Sequence, residues 1–146
     1  LLDPELPAIE ANAEQLIQVF MALMINAADA MDEVDGTITI RTRRGITRHE
    51  AVIAEVIDEG QGIARSDLPK IFDPFFTTKE KGTGLGLPIS QRIIANHGGT
   101  IEVRSRPGVG TTFTVVLPQA EREEEAEKRD REPERREKER SGRVAS

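Results

Sequence analysis

The stretch Ala51-Val52-Ile53-Ala54-Glu55-Val56-Ile57-Asp58-Glu59-Gly60-Gln61-Gly62-Ile63 decides the fold. Its first eight residues are almost continuously apolar, the pattern of a strand that lies deep in a sheet. The strand ends on a carboxylate, and the two glycines after it are spaced so that backbone can approach a flat ligand closely. A carboxylate accepts a hydrogen bond from an exocyclic amino group and repels a carbonyl oxygen. Asp58 therefore suits adenine better than guanine, the alternative being a plain turn.

Upstream of this strand, Thr37 to Arg43 alternates as a second strand able to pair with it as a hairpin. Further back, Asn12 followed by Gln15 marks a helix start, and Leu16, Phe20, Leu23, Ala27 and Met31 recur at helical spacing. Downstream, residues from about Leu87 to Asn96 read as a second helix, with Pro88 in its first turn and Gly98 closing its end. Ile89, Ile93 and Ile94 are its expected core face. Thr100 to Arg106 and Thr111 to Leu117 alternate again, joined by the turn residues Pro107-Gly108-Val109-Gly110. This order predicts a two-layer α+β sandwich, with helices on one face of a mixed sheet.

After Leu117-Pro118 the composition changes abruptly. Residues 119–146 hold ten acidic and nine basic side chains with almost nothing apolar, too little to offset the entropy of ordering. The expected organisation is one domain over residues 1–118 and a charged tail over 119–146, solvated or serving as a docking tail or linker. The chain has no cysteine, which excludes disulfides and thiolate metal sites. Its longest apolar run, Val19 to Ile25, is far short of the roughly 20 residues of a membrane span. A formal net charge of −6 argues against a nucleic-acid partner.

Two further features point to phosphate and metal. Asn26 interrupts the most apolar helix near its buried stripe, where an unpartnered amide costs about 1–3 kcal/mol. It is either bonded to a neighbouring loop or is an oxygen donor to Mg²⁺ held beside a polyphosphate. The segment Phe72-Asp73-Pro74-Phe75-Phe76-Thr77-Thr78-Lys79 leads to Gly82-Thr83-Gly84-Leu85-Gly86-Leu87 and the second helix. Backbone amides and the dipole at a helix start attract phosphate, and Lys79 adds positive charge; a flexible glycine loop is the alternative. The glycine spacing fits neither the dinucleotide fingerprint nor the phosphate-binding loop ending in Gly-Lys-Ser or Gly-Lys-Thr.

In this order the elements resemble the ATP-binding domain of histidine kinases, the Bergerat fold shared with gyrase, heat-shock chaperone and mismatch-repair ATPases. Asn26-Ala27-Ala28-Asp29-Ala30 looks like the N box, Asp58 to Ile63 like the first glycine box, Phe72 to Phe76 like the F box, and Gly82 to Leu87 like the second glycine box. His97-Gly98-Gly99-Thr100-Ile101 and Gly108-Val109-Gly110-Thr111-Thr112-Phe113 resemble the closing helix and hairpin, so the likeness spans about residues 5 to 118. The short lid and its Asp-Pro-Phe-Phe-Thr-Thr-Lys stretch look most like nitrogen-regulation-type kinases.

The resemblance implies ATP and Mg²⁺ as ligands, with Asn26 on the metal and Asp58 on the adenine amino group. Gly60, Gly62 and Ile63 then shape the base pocket, and residues 72 to 86 form a mobile lid. Gly82, Gly84 and Gly86 cradle phosphates, and Asp29, Phe75, Thr78, Lys79, Thr83, Leu85, Leu87 and Thr111 complete the nucleotide site. The implied reaction passes the γ-phosphate to a histidine on a separate dimerisation domain, and from there to a response regulator. The implied setting of the domain is cytoplasmic, in a full-length protein that can be membrane-anchored through other segments; the domain alone is expected to be monomeric and the full-length protein a homodimer.

Two departures stand out. One turn before Asn26 the resembled kinases carry a second Asn and the hydrolysing relatives a Glu; here the residue is Ala22, so no general base is poised to activate water. The two histidines, His49 and His97, lie outside any His-Glu-x-x-x-Pro setting, so both read as structural and the acceptor belongs to another domain. Competing readings are a nucleotide-binding regulatory module without kinase activity and an anti-sigma-type serine kinase.

Overall fold

Asn12 caps the first helix: its side-chain oxygen accepts the Gln15 N–H at 3.0 Å, satisfying a donor that the first turn leaves open. The computed structural model describes residues 1–33, 35–46 and 50–121. Helix α1 runs Ala13–Ala30, followed by β1 (Ile38–Ile46), β2 (Glu50–Asp58), a short 3-10 turn (Leu68–Lys70), α2 (Gly86–Asn96), β3 (Thr100–Arg106) and β4 (Gly110–Pro118). The two α-helices and the four strands fall within a few residues of their expected places, and the 3-10 turn is an element the sequence reading did not anticipate. His49 and residues 122–146, most of the expected tail, lie outside the described residues. Gln119 and Ala120 still belong to the fold, their N–H groups bonding to the carbonyls of Glu50 and Ala8.

The two helices pack on one another and on one face of the sheet. Along α1 the fully buried positions are Val19, Leu23 and Ala27, while Leu16 and Phe20 pack at the margin. The expected stripe is thus right in direction but turned slightly, so that Val19 enters the core and Met31 does not. Along α2, Ile93 and Ile94 are buried as expected, whereas Ile89 is 40% exposed and is not core. Opposite them lie Val56, Phe113, Val115 and Leu117, the inward-facing residues of β2 and β4. Each fully buried aliphatic side chain here contributes about 1.5–3 kcal/mol of transfer free energy.

The sheet order is β1-β2-β4-β3, and all four strands pair antiparallel. This corrects the mixed sheet expected from sequence. The connection through α2 does bring β3 into the same direction as β2, but β4 returns by a hairpin into the gap between them. Every ladder therefore becomes antiparallel, and β2 and β4 form the buried centre. Among the described residues, parallel bonding survives at the edge: the Leu1 amino group donates to the Ile40 carbonyl at 3.0 Å, and Thr42 N–H donates to the Leu1 carbonyl at 3.1 Å. That bonding pattern is parallel pairing. No helix among the described residues is long and apolar enough to cross a membrane.

Candidate functional site

Asp58 ends β2 at the centre of the sheet, where only 5% of it is exposed. Its Oδ1 accepts two backbone N–H groups, from Gly60 at 2.9 Å and from Thr111 on β4 at 3.2 Å. Those bonds fix the carboxylate plane and leave Oδ2 with no protein donor among the described residues. Burial pushes the carboxyl above the usual aspartate range, and the two N–H bonds offset part of that rise. A buried carboxylate oriented in this way, with one oxygen open, is a ready acceptor for a ligand N–H.

Two glycines let the loop after Asp58 close. A side chain on Gly60 would come within 2.5 Å of the Ala30 carbonyl, the same carbonyl that accepts Gln61 N–H at 3.1 Å. Gly62 has φ +73°, and a side chain there would strike the Arg106 carbonyl at 2.4 Å. Both glycines thus bring backbone against backbone, Gly60 at the end of α1 and Gly62 at the β3–β4 hairpin. Ile63 follows, half-buried against the core, with its N–H bonded to Ser105 Oγ at 2.8 Å. Ser105 Oγ also donates to the Gly110 carbonyl at 3.1 Å and lies 2.8 Å from Thr111 Oγ1. Having one proton, already given to Gly110, it receives the proton of Thr111.

The aromatic segment divides by exposure. Phe72 and Phe76 pack at the core margin, but Phe75 is 74% exposed and has φ +68°, a left-handed conformation that costs a bulky residue about 1–2 kcal/mol. It is held there by its N–H, which donates to the Gly84 carbonyl at 2.9 Å. The fit is close enough that a side chain on Gly84, itself at φ +68°, would meet the Phe75 backbone at 2.4 Å. Thr78 and Thr83 are exposed on the loop between, and Gly82 N–H bonds back to the Lys79 carbonyl at 3.2 Å. Leu85 precedes α2 with no side-chain cap, so the first amides of the helix, beginning at Gly86, meet no capping side chain, while Leu87 turns toward the core.

Asn26 is half-buried and is not without a partner. Its Oδ1 accepts Lys79 Nζ at 2.9 Å, and the same ammonium lies 2.5 Å from Asp29 Oδ2. Two hard oxygens from α1 therefore converge on one cationic position, occupied here by Lys79. Among the described residues no group of three or more acidic or histidine side chains is placed to hold a metal. An ion at this position would draw its remaining ligands from phosphate and water.

The boxes meet along one face of α1. Ala22 lies 3.9 Å from where a side chain on Gly86 would begin, Asn26 and Asp29 hold Lys79, and Ala30 abuts Gly60. Positions 22, 26, 29 and 30 share a helical face, adjacent to the buried one. The chain matches, over residues 11–121, the family described as histidine kinase-, DNA gyrase B- and HSP90-like ATPase. It belongs to that family. Among curated proteins it is 50% identical over 117 residues to the signal transduction histidine-protein kinase AtoS of Escherichia coli, covering 80% of this chain and 19% of that protein. It is 45% identical over 128 residues to the histidine kinase/phosphatase NtrB of Rhizobium leguminosarum, covering 80% and 33%. The similarity to nitrogen-regulation-type kinases is thus borne out, and the chain spans a third or less of these relatives' lengths.

Solved structures agree. The catalytic domain of the histidine kinase ThkA, in a nucleotide-free form, superposes with TM-score 0.65 at 38% identity over 76% of this chain and 70% of that one. Full-length ShkA in complex with AMPPNP gives 0.71 at 30% identity, covering 83% and 25%. The α+β sandwich of this ATPase domain is therefore that of histidine kinase catalytic domains.

Two features of the site carry no motif in the sequence. Ser105 fastens Ile63 and Thr111 together; its one signal was the β3 alternation that places it inward with Ile101 and Val103. The contact between Lys79 and Asp29 spans fifty residues and had no local signal. A cavity of about 440 Å³ lined by Glu5, Arg44, Glu50 and Gln119 lies at the far end of β2 from Asp58 and takes no part in the site.

Proposed function

We propose that this chain binds ATP with Mg²⁺ and acts as the phosphoryl-donating half of a two-component histidine kinase. The observation that carries the reading is the convergence on α1 of Asp58's loop, the lysine-bearing lid and the uncapped start of α2. Asp58 Oδ2 receives the adenine amino group, with Gly60, Gly62, Ile63 and Thr111 walling the base. The α2 amides at Gly86 and Leu87, with the turn through Gly82, Thr83, Gly84 and Leu85, face the phosphates. Phe75, Thr78 and Lys79 belong to the lid above them.

Asn26 Oδ1 fits Mg²⁺, since the structure already holds a cation there between amide and carboxylate oxygens. The ion, when bound, neutralises phosphate oxygens as charge builds on them. The chain's own residues bind, orient and exclude water. Residues 1–118 serve as the nucleotide domain, with Gln119 and Ala120 bonded onto it, and the charged tail follows. The acceptor is a histidine on a dimerisation domain of the same cytoplasmic protein, which passes the phosphoryl group to a response regulator. Ala22 specifically favours a second reading, a regulatory module that binds nucleotide and does not transfer it.

Calorimetry with AMPPNP and a guanine analogue, with and without Mg²⁺, followed by phosphotransfer to a separately supplied histidine-bearing hairpin, separates these readings. Adenine-selective binding with label on the histidine supports the kinase. Binding without label supports the module, and no binding to folded protein discards both.

A further inference from the structure

Lys79 reaches from the lid to the far end of α1, and that end is electrostatically incomplete. A helix C-terminus carries partial negative charge that basic residues of the last turn usually balance. The last turn of α1 contains no base but does contain Asp29, and Asp32 and Glu33 follow immediately. Lys79 Nζ supplies the missing positive charge from fifty residues away, on Asp29 Oδ2 at 2.5 Å and on Asn26 Oδ1 at 2.9 Å. The lid is shaped for this reach: Lys79 N–H bonds Thr77 Oγ1 at 3.1 Å, and Gly82 N–H closes onto the Lys79 carbonyl at 3.2 Å.

We propose that Lys79 is a resident cation that holds the Asn26 position in the nucleotide-free protein, and that Asp29 is the positioning residue that parks it there. The proposal rests on the nucleotide reading above. A lysine ammonium and Mg²⁺ cannot share that position, because two cations a few ångströms apart repel strongly. Metal arriving with phosphate therefore displaces the ammonium, and the freed lysine finds its new partner in the phosphate oxygens. Binding the metal and releasing the lid tether become one event. The tether also keeps Asn26 from standing half-buried without a donor, and gives Asp29 a partner, while the site is empty of nucleotide.

The test is the reactivity of the Lys79 amine toward an acylating reagent, read by peptide mass spectrometry with the exposed lid residue Lys81 as internal reference. In nucleotide-free protein, Asp29→Asn is expected to raise the Lys79 rate roughly two- to fivefold, the range for an exposed ion pair, and Asp29→Glu to restore it. At saturating Mg²⁺ and AMPPNP the rates of the original chain and Asp29→Asn are expected to converge, because Lys79 has by then left Asp29. Equal rates without nucleotide overturn the tether. A difference that persists undiminished at saturation overturns the exchange. Calorimetry on the same samples keeps the two levels apart: absent AMPPNP binding removes the nucleotide reading and the exchange with it, while the nucleotide-free rates still decide the tether.

Discussion

His97 Nε2 accepts the backbone N–H of Asn12 at 3.1 Å, so one imidazole closes the end of α2 and the start of α1 together. Its other nitrogen, Nδ1, carries the proton and donates to the Ile93 carbonyl at 2.7 Å. This places His97 in the scaffold and far in role from a phosphate acceptor. His97→Ala is expected to lower stability by about 1–3 kcal/mol, two net hydrogen bonds, seen as a lower urea midpoint with an unchanged slope. AMPPNP affinity should not move; a large loss of affinity would draw His97 into the site.

Asp58 predicts a pH dependence. Its carboxyl is raised above the ordinary range chiefly by burial, so the folded chain keeps this proton at pH values where the unfolded chain has released it. The resulting stability is present below the ordinary carboxylate range and is lost as pH rises through the raised folded value. Thermal denaturation of nucleotide-free protein should show Asp58→Asn relieved of that loss at neutral pH, since the amide oxygen still accepts from Gly60 and Thr111.

The same substitution reverses sign on binding. The amide nitrogen of Asp58→Asn would face the adenine amino group donor to donor, and the lost acceptor is expected to cost about 1–3 kcal/mol, or about five- to 150-fold in affinity. In the original chain, affinity should fall on acidification with a midpoint above that of an ordinary aspartate. Calorimetry across a pH series checks both.

The pairing of Phe75 with Gly84 makes this loop sensitive to one methyl group. Gly84→Ala adds a Cβ at 2.4 Å from the Phe75 backbone at a positive φ, and should loosen the lid by about 1–3 kcal/mol. Faster hydrogen exchange at Phe75 is the readout. Phe75→Gly should do the opposite for backbone strain and stabilise the nucleotide-free fold.

Ala22 leaves an absent amide beside the start of α2. Ala22→Asn places a polar group next to Gly86, beside the proposed phosphate position, and is expected to tighten AMPPNP binding by about ten- to 150-fold, the worth of about 1.5–3 kcal/mol for one hydrogen bond to a charged group. No change in affinity would mean that this face of α1 does not see phosphate.

The sequence by itself determined both α-helices, all four strands and their order, because those depend on local signals: the Asn12 cap, the periods of 3.6 and 2, and turn glycines at fixed offsets; the 3-10 turn at Leu68–Lys70 was not among its expectations. It also marked Asp58, Asn26 and the glycine boxes, whose chemistry is written in residue type and spacing. Only the tertiary structure decided which neighbour each strand takes, since the slotting of β4 between β2 and β3 is a long-range choice invisible to any local pattern. It alone turned α1 so that Val19 is core, left Ile89 in solvent, and joined Ser105 to Ile63 and Lys79 to Asp29. Those contacts link residues tens of positions apart, and their energies exist only once the sheet and helices have brought them within a few ångströms.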